Sequence, residues 1–122
     1  MMDSWVECLD ACNDCAVACE HCAHACLREP EVAKMVDCIQ IDLDCAALCR
    51  LAASFIGRES SYSPSVCDLC ASICSECGTE CAKHAMEHCQ ACAEACRACA
   101  EACRKMTDGA VSDSTVSIGI SG

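Results

Sequence analysis

The stretch WVECLDACNDCAVACEHCAHAC, residues 5–26, decides the fold. Its cysteines, Cys8, Cys12, Cys15, Cys19, Cys22 and Cys26, follow one another at alternating steps of four and three residues. Residues three and four apart share one face of an α-helix, and this alternation is the a/d seam of a heptad repeat. Thiols occupy the seam where leucine would ordinarily stand. Such a face either packs cysteine as a small apolar residue or holds metal.

The ladder recurs along the chain. Cys67, Cys70, Cys74, Cys77 and Cys81 carry it, and so do Cys89, Cys92, Cys96, Cys99 and Cys103. A thinner version runs through Cys38, Cys45 and Cys49, with Asp42 at a seam position. Ser4 and Glu7 fit a capping box opening a first helix that runs to about residue 28. Pro30 suits the first turn of a second helix over residues 31–56, and Gly57 suits its stop. Residues 58–63 form a loop by composition, and Ser63 before Pro64 looks like an N-cap and N1 pair opening the third helix. The eight-residue step from Cys81 to Cys89 breaks the register, which places a turn over residues 83–88. From Gly109 onward the helical period is lost, which suggests a flexible tail. The expectation is an all-α chain: an antiparallel up-down four-helix bundle with a cysteine-lined core over residues 1–108, and a tail over 109–122.

Aligning antiparallel neighbours by their ends sorts the seam into layers. Cys26, Met35 and His84 close one end. Below them come Cys22, Cys38, Cys81 and Cys89, then Cys19, Asp42, Cys77 and Cys92. Cys15, Cys45, Cys74 and Cys96 follow, then Cys12, Cys49, Cys70 and Cys99, then Cys8, Ala52, Cys67 and Cys103. Trp5, Ile56 and Met106 plug the far end, with Leu9, Leu51 and Phe55 nearby. Every cysteine falls inward under this one register. His21 and His24 face outward, as do Ala11, Ala18 and Ala25, where small side chains suit the close approach of bundles in an oligomer.

Composition narrows the chemistry. Cysteine fills 19 of 122 positions, and the formal net charge is −11. With no basic patch, nucleic acid is not an expected partner. No apolar run is long enough for a membrane span, and the opening MMDSWVECLDACNDC has no basic, apolar leader. The expected compartment is therefore the cytoplasm, where thiols stay reduced and a cysteine ladder points to metal. Disulfides would have to pair along helix interiors.

The ionised thiol is the metal ligand, and 19 buried negative charges demand neutralisation. Four or five Zn²⁺, at about four thiolates each, would leave roughly nine charges in the core. A monovalent soft ion at one per thiol leaves almost none, and Cu(I) is selected by thiolates and accepts bridging ones. Iron–sulfur spacings are absent. No carboxylate pair or nucleophile–base set is visible, so no enzymatic role is expected. His84 at the open end, with Met35 and with Met86 and His88 beside it, offers transient ligands for copper arriving there. Asp42 would bind copper, accept thiol hydrogen bonds or be protonated. A zinc or general thiolate metal buffer, and a disulfide-based redox protein, stand as alternatives.

These ladders, the His84-Ala-Met-Glu-His88-Cys89 turn and the run CQACAEACRACAEAC ending at Cys103 resemble the cysteine-rich four-helix-bundle copper storage proteins, over about residues 5–106. The resemblance is to their cytosolic branch. It implies a bundle filled with many Cu(I) ions on its core cysteines and a homotetramer of such bundles. A cytosolic copper chaperone is an expected partner.

Overall fold

In a computed structural model that describes residues 2–121, with side chains for residues 4–108, the described chain forms four α-helices and no strand. These are α1 (Met2–Cys26), α2 (Val36–Gly57), α3 (Ser63–Ala82) and α4 (Glu87–Ser121), with a 3₁₀ turn at Val32–Met35 ahead of α2. Short connections force each helix to run against the one before it. α1 packs along α2 and α4, and α3 along α2 and α4, which closes the bundle.

The residues flanking the seam explain how closely the helices approach. Ala16, Ala23, Ala46, Ala71, Gly78, Ala93 and Ala100 each follow a seam cysteine directly, and all are buried. Side chains this small let neighbouring backbones come together. A Cβ at Gly78 would meet the Cys96 Cβ at 3.4 Å and the Ala93 carbonyl at 3.5 Å, ordinary contact distances. On the opposite flank Ile41, Leu48, Val66 and Ile73 pack against the core. Ala11, Ala18 and Ala25 lie on this flank of α1 and are half-buried, not turned outward as the pattern suggested. Position g of a heptad is covered once two neighbouring helices close on it.

The interior holds little hydrocarbon. Its largest fully buried side chains are Met35, Ile56 and Asp42, and nearly everything else is thiol or alanine. A buried leucine contributes about 1.5–3 kcal/mol and a methylene about 0.8 kcal/mol, so this core supplies less per layer than a leucine core would. At the far end the Trp5 indole N–H donates to the Ile56 carbonyl at 2.7 Å, tying α1 to the end of α2. Ile56 is fully buried and Met106 packs against the core, as the plug requires. Leu51 is exposed and takes no part in it.

Three boundaries differ from the sequence expectation. Ser4 lies inside α1, which begins at Met2, so it cannot cap that helix with Glu7. Pro30 sits in a turn before the 3₁₀ segment, and α2 starts at Val36. α3 begins at Ser63 with Tyr62 at the cap position, which leaves the Ser63 hydroxyl buried without a partner. The backbone of α4 continues as helix to Ser121. The end of α2 is built as a Schellman motif. The Ser60 N–H donates to Phe55 at 2.9 Å and the Glu59 N–H to Ile56 at 3.0 Å, with Glu59 itself at φ 51°. Gly57 ends α2, but the left-handed position falls two residues later, on Glu59.

Candidate metal centre

All 19 cysteines are free and fully buried. Their sulfurs meet in the layers the register assigns. Cys15 lies 3.8 Å from Cys45, 4.0 Å from Cys74 and 3.8 Å from Cys96, and Cys45 lies 3.5 Å from Cys74. One layer down, Cys49 is 3.8 Å from both Cys70 and Cys99, with Cys99 3.7 Å from Cys12. Cys8 and Cys103 meet at 3.6 Å, Cys19 and Cys92 at 3.6 Å, Cys38 and Cys81 at 3.6 Å, and Cys22 and Cys89 at 3.8 Å. Contacts also run between layers, as from Cys49 to Cys74 at 3.6 Å and from Cys19 to Cys96 at 3.7 Å. Even the 3.5 Å pair is far from the roughly 2.05 Å of a disulfide.

The sulfurs group into quartets whose atoms all lie within 4.8 Å of one another. Cys12, Cys70, Cys99 and Cys103 form one. Cys15, Cys49, Cys74 and Cys99 form the next, sharing Cys99. Cys15, Cys19, Cys45 and Cys96 share Cys15 with it, and Cys19, Cys77, Cys92 and Cys96 share two thiols with that. A further quartet toward the other end joins Cys22, Cys26, Cys38 and Cys89. Shared thiols suit ions that accept bridging sulfur. An isolated tetrahedral Zn²⁺ site needs four thiolates of its own.

Asp42 touches thiols of both the quartet holding Cys38 and the one holding Cys77 and Cys92. Its Oδ1 accepts from Cys77 at 3.2 Å, Cys81 at 3.3 Å and Cys92 at 3.4 Å, and Oδ2 accepts from Cys38 at 3.8 Å. Burial, with the neighbouring charge of Cys92 adding to it, pushes its carboxyl up to about 8. Burial likewise pushes the Cys26 thiol up and the Cys89 thiol up to about 11. Hydrogen bonds from Cys22 and then Cys81 instead hold Cys38 down to about 3, against the cost of burying it.

The histidines divide differently from the sequence expectation. α3 ends at Ala82, so the seam position extrapolated to His84 no longer lies on a helix. The His84 ring turns to Glu80, with Nε2 2.9 Å from Oε2. His88 faces the thiols: its Nδ1 lies 3.5 Å from both Cys22 and Cys89 and 4.0 Å from Cys26. Met35 is buried, Met86 packs against the core, and His21 and His24 are exposed.

Residues 1–108 match the copper storage protein family profile. The chain belongs to the copper storage protein family. Among solved structures, the Cu(I)-bound copper storage protein BsCsp3 is 48% identical, covering 82% of this chain and 94% of its own, with a TM-score of 0.79. The apo form of copper storage protein 3 from Bacillus subtilis is 46% identical, with 83% and 96% covered and a TM-score of 0.77. A cytosolic copper storage protein from Streptomyces lividans, studied during copper loading with five coppers, is 42% identical, with 87% and 93% covered and a TM-score of 0.84. Comparison with curated protein sequences gave no significant match. The family is one of storage, a non-enzymatic role. Among the described residues no helix is long and apolar enough to cross a membrane.

Proposed function

We propose that this copper storage protein takes up Cu(I) as cargo and holds it on its core thiolates, approaching one ion for each of its 19 cysteines. One observation carries the proposal: fully buried thiols arranged in quartets that share members, a ligand set that a bridging, singly charged soft ion neutralises and Zn²⁺ does not. Storage keeps the ion from free solution, which makes the protein a detoxifier as well as a reserve. Asp42 supplies an oxygen donor or a thiol hydrogen-bond acceptor within the column. The chain acts in the cytoplasm, receives copper from a cytosolic copper chaperone, and forms a homotetramer. Outward apolar side chains such as Val17, Leu43 and Leu69 support the assembly. Residues 1–108 are the copper-binding unit: every cysteine lies within them, and the family match spans the same range.

Copper arrives at the end holding His84 and His88, since Trp5 and Ile56 close the other. His88 is the ligand there, with Nδ1 toward Cys22, Cys26 and Cys89, and His84, Met35 and Met86 form the surrounding rim. Anaerobic titration with Cu(I) and separately with Zn²⁺, counted per thiol, tests the function. Cu(I) binding that levels off near one equivalent per cysteine is expected. A few tight zinc ions with weak copper binding would refute it, as would thiols recovered as disulfides under reducing conditions.

A further inference from the structure

The thiol-facing ring of His88 is gripped from behind by Glu29, which lies in the turn after α1. Its Oε2 sits 2.9 Å from His88 Nε2, and the two side chains are only 26% and 15% exposed. A carboxylate can only accept, so the hydrogen of the neutral ring lies on Nε2 and the Nδ1 lone pair faces Cys22, Cys26 and Cys89. Glu29 is fixed in its turn. Its own N–H donates to the Cys26 carbonyl at 3.2 Å, and the preceding N–H of Arg28 donates to Ala25 at 3.0 Å. Pro30 restricts its backbone from the other side. The carboxylate is thus anchored through Cys26, which is itself a thiol of the end quartet.

We propose that Glu29 is the positioning residue of the copper-admitting end. It holds His88 in the Nε2–H tautomer, so that arriving Cu(I) meets an aimed nitrogen donor beside three thiols. The inference rests on the reading of His88 as a ligand. The second imidazole–carboxylate pair does a different job. Glu80 binds His84 from one turn earlier and shares its carboxylate with Lys83 at 3.2 Å, while the thiol contacts at this end belong to His88.

The test uses the full-length apo-protein under anaerobic conditions, with variants Glu29→Ala, Glu29→Gln, His88→Ala and the double Glu29→Ala/His88→Ala. Two readouts are taken: the rate and affinity of the first Cu(I) equivalent, from thiolate-to-copper absorption and chelator competition, and the His88 tautomer, from ring ¹⁵N NMR. Glu29→Ala is expected to lower first-equivalent affinity about tenfold, the low end of what losing the partner of a ligating imidazole costs. It is also expected to mix the tautomers. Glu29→Gln, whose side-chain carbonyl accepts the same hydrogen bond, should behave as the parent in both. The double variant should load no more slowly than His88→Ala. A Glu29→Ala protein with parental tautomer and loading would overturn the proposal, as would a double variant slower than His88→Ala. Parental loading by His88→Ala would remove the ligand reading itself, a failure visible apart from the NMR result on Glu29.

Discussion

Asp42 is a costly side chain to bury in the apo-protein, and its cost depends on pH. In the fold its carboxyl is raised from 3.8 to about 8, chiefly by burial. An acid bound more tightly to its proton in the folded state stabilises that state below the unfolded value. The contribution is lost as pH rises toward the folded value, because the unfolded chain releases the proton first. The window is therefore pH 4 to 8. At about 1.4 kcal/mol per pH unit the whole loss amounts to about 6 kcal/mol, of which about 4 kcal/mol is gone by pH 7. Domains of this kind are stable by about 5–15 kcal/mol, so the effect is a large share. Asp42→Asn keeps the shape of the protonated acid and cannot ionise. Urea unfolding of both apo-proteins, anaerobic and reduced, followed by far-UV circular dichroism from pH 4.5 to 7.5, reads the difference directly. The parent should lose stability relative to the asparagine variant by more than 1 kcal/mol per pH unit near neutrality. Parallel curves would refute a buried, proton-holding Asp42.

Other expectations concern single positions and the cargo. Ser63→Ala should raise apo stability by about 1 kcal/mol, because it removes a buried hydroxyl that has no partner; if Ser63 capped α3, thermal unfolding would show a loss of similar size. Gly78→Ala should add up to about 1 kcal/mol of helix propensity in a space that already accepts a methyl, and a fall in Tm would mean α3 and α4 lie closer than they do here. Loading with Cu(I) should raise Tm steeply, since each site adds about 2.7 kcal/mol when free ion stands at 100 times its dissociation constant; calorimetry before and after chelation checks this, and an unchanged Tm would refute binding in the core. Replacing His84 with Leu should slow Cu(I) uptake less than replacing His88 with Ala, because only the His88 ring faces thiols, and stopped-flow loading ranks the two.

The column of sulfur was legible in the sequence because a heptad seam constrains every residue on it. The layer grouping Cys15 with Cys45, Cys74 and Cys96 follows from spacing and antiparallel alignment alone, and the sulfur distances reproduce it. Asp42 was legible for the same reason. What lay outside the helices was not. Extending the α3 seam reaches His84 past Ala82, where the helix has already ended, and His88, in the first turn of α4, lies one position off the seam of that helix. Glu29 carries no periodic signal, since its contact with His88 depends on how the turn after α1 meets the start of α4. The ends of helices followed hydrogen bonding that composition only suggests: Ser63 and Ser4 are good cap residues, yet Ser63 is the first residue of its helix and Ser4 the third, and Glu59 adopts the left-handed backbone for which Gly57 was the natural candidate.

Neighbouring quartets own thiols in common, with Cys99, Cys15 and then Cys19 and Cys96 passing from one to the next. Under the proposed storage role, an ion held in one of these linked quartets would reach the next while still bound to a shared sulfur. With one end stoppered by an indole, the proposed entry beside His88 would make the bundle a magazine loaded from a single side. In such a magazine what went in last would come out first, and the deepest copper would be the reserve that leaves only after everything above it has gone.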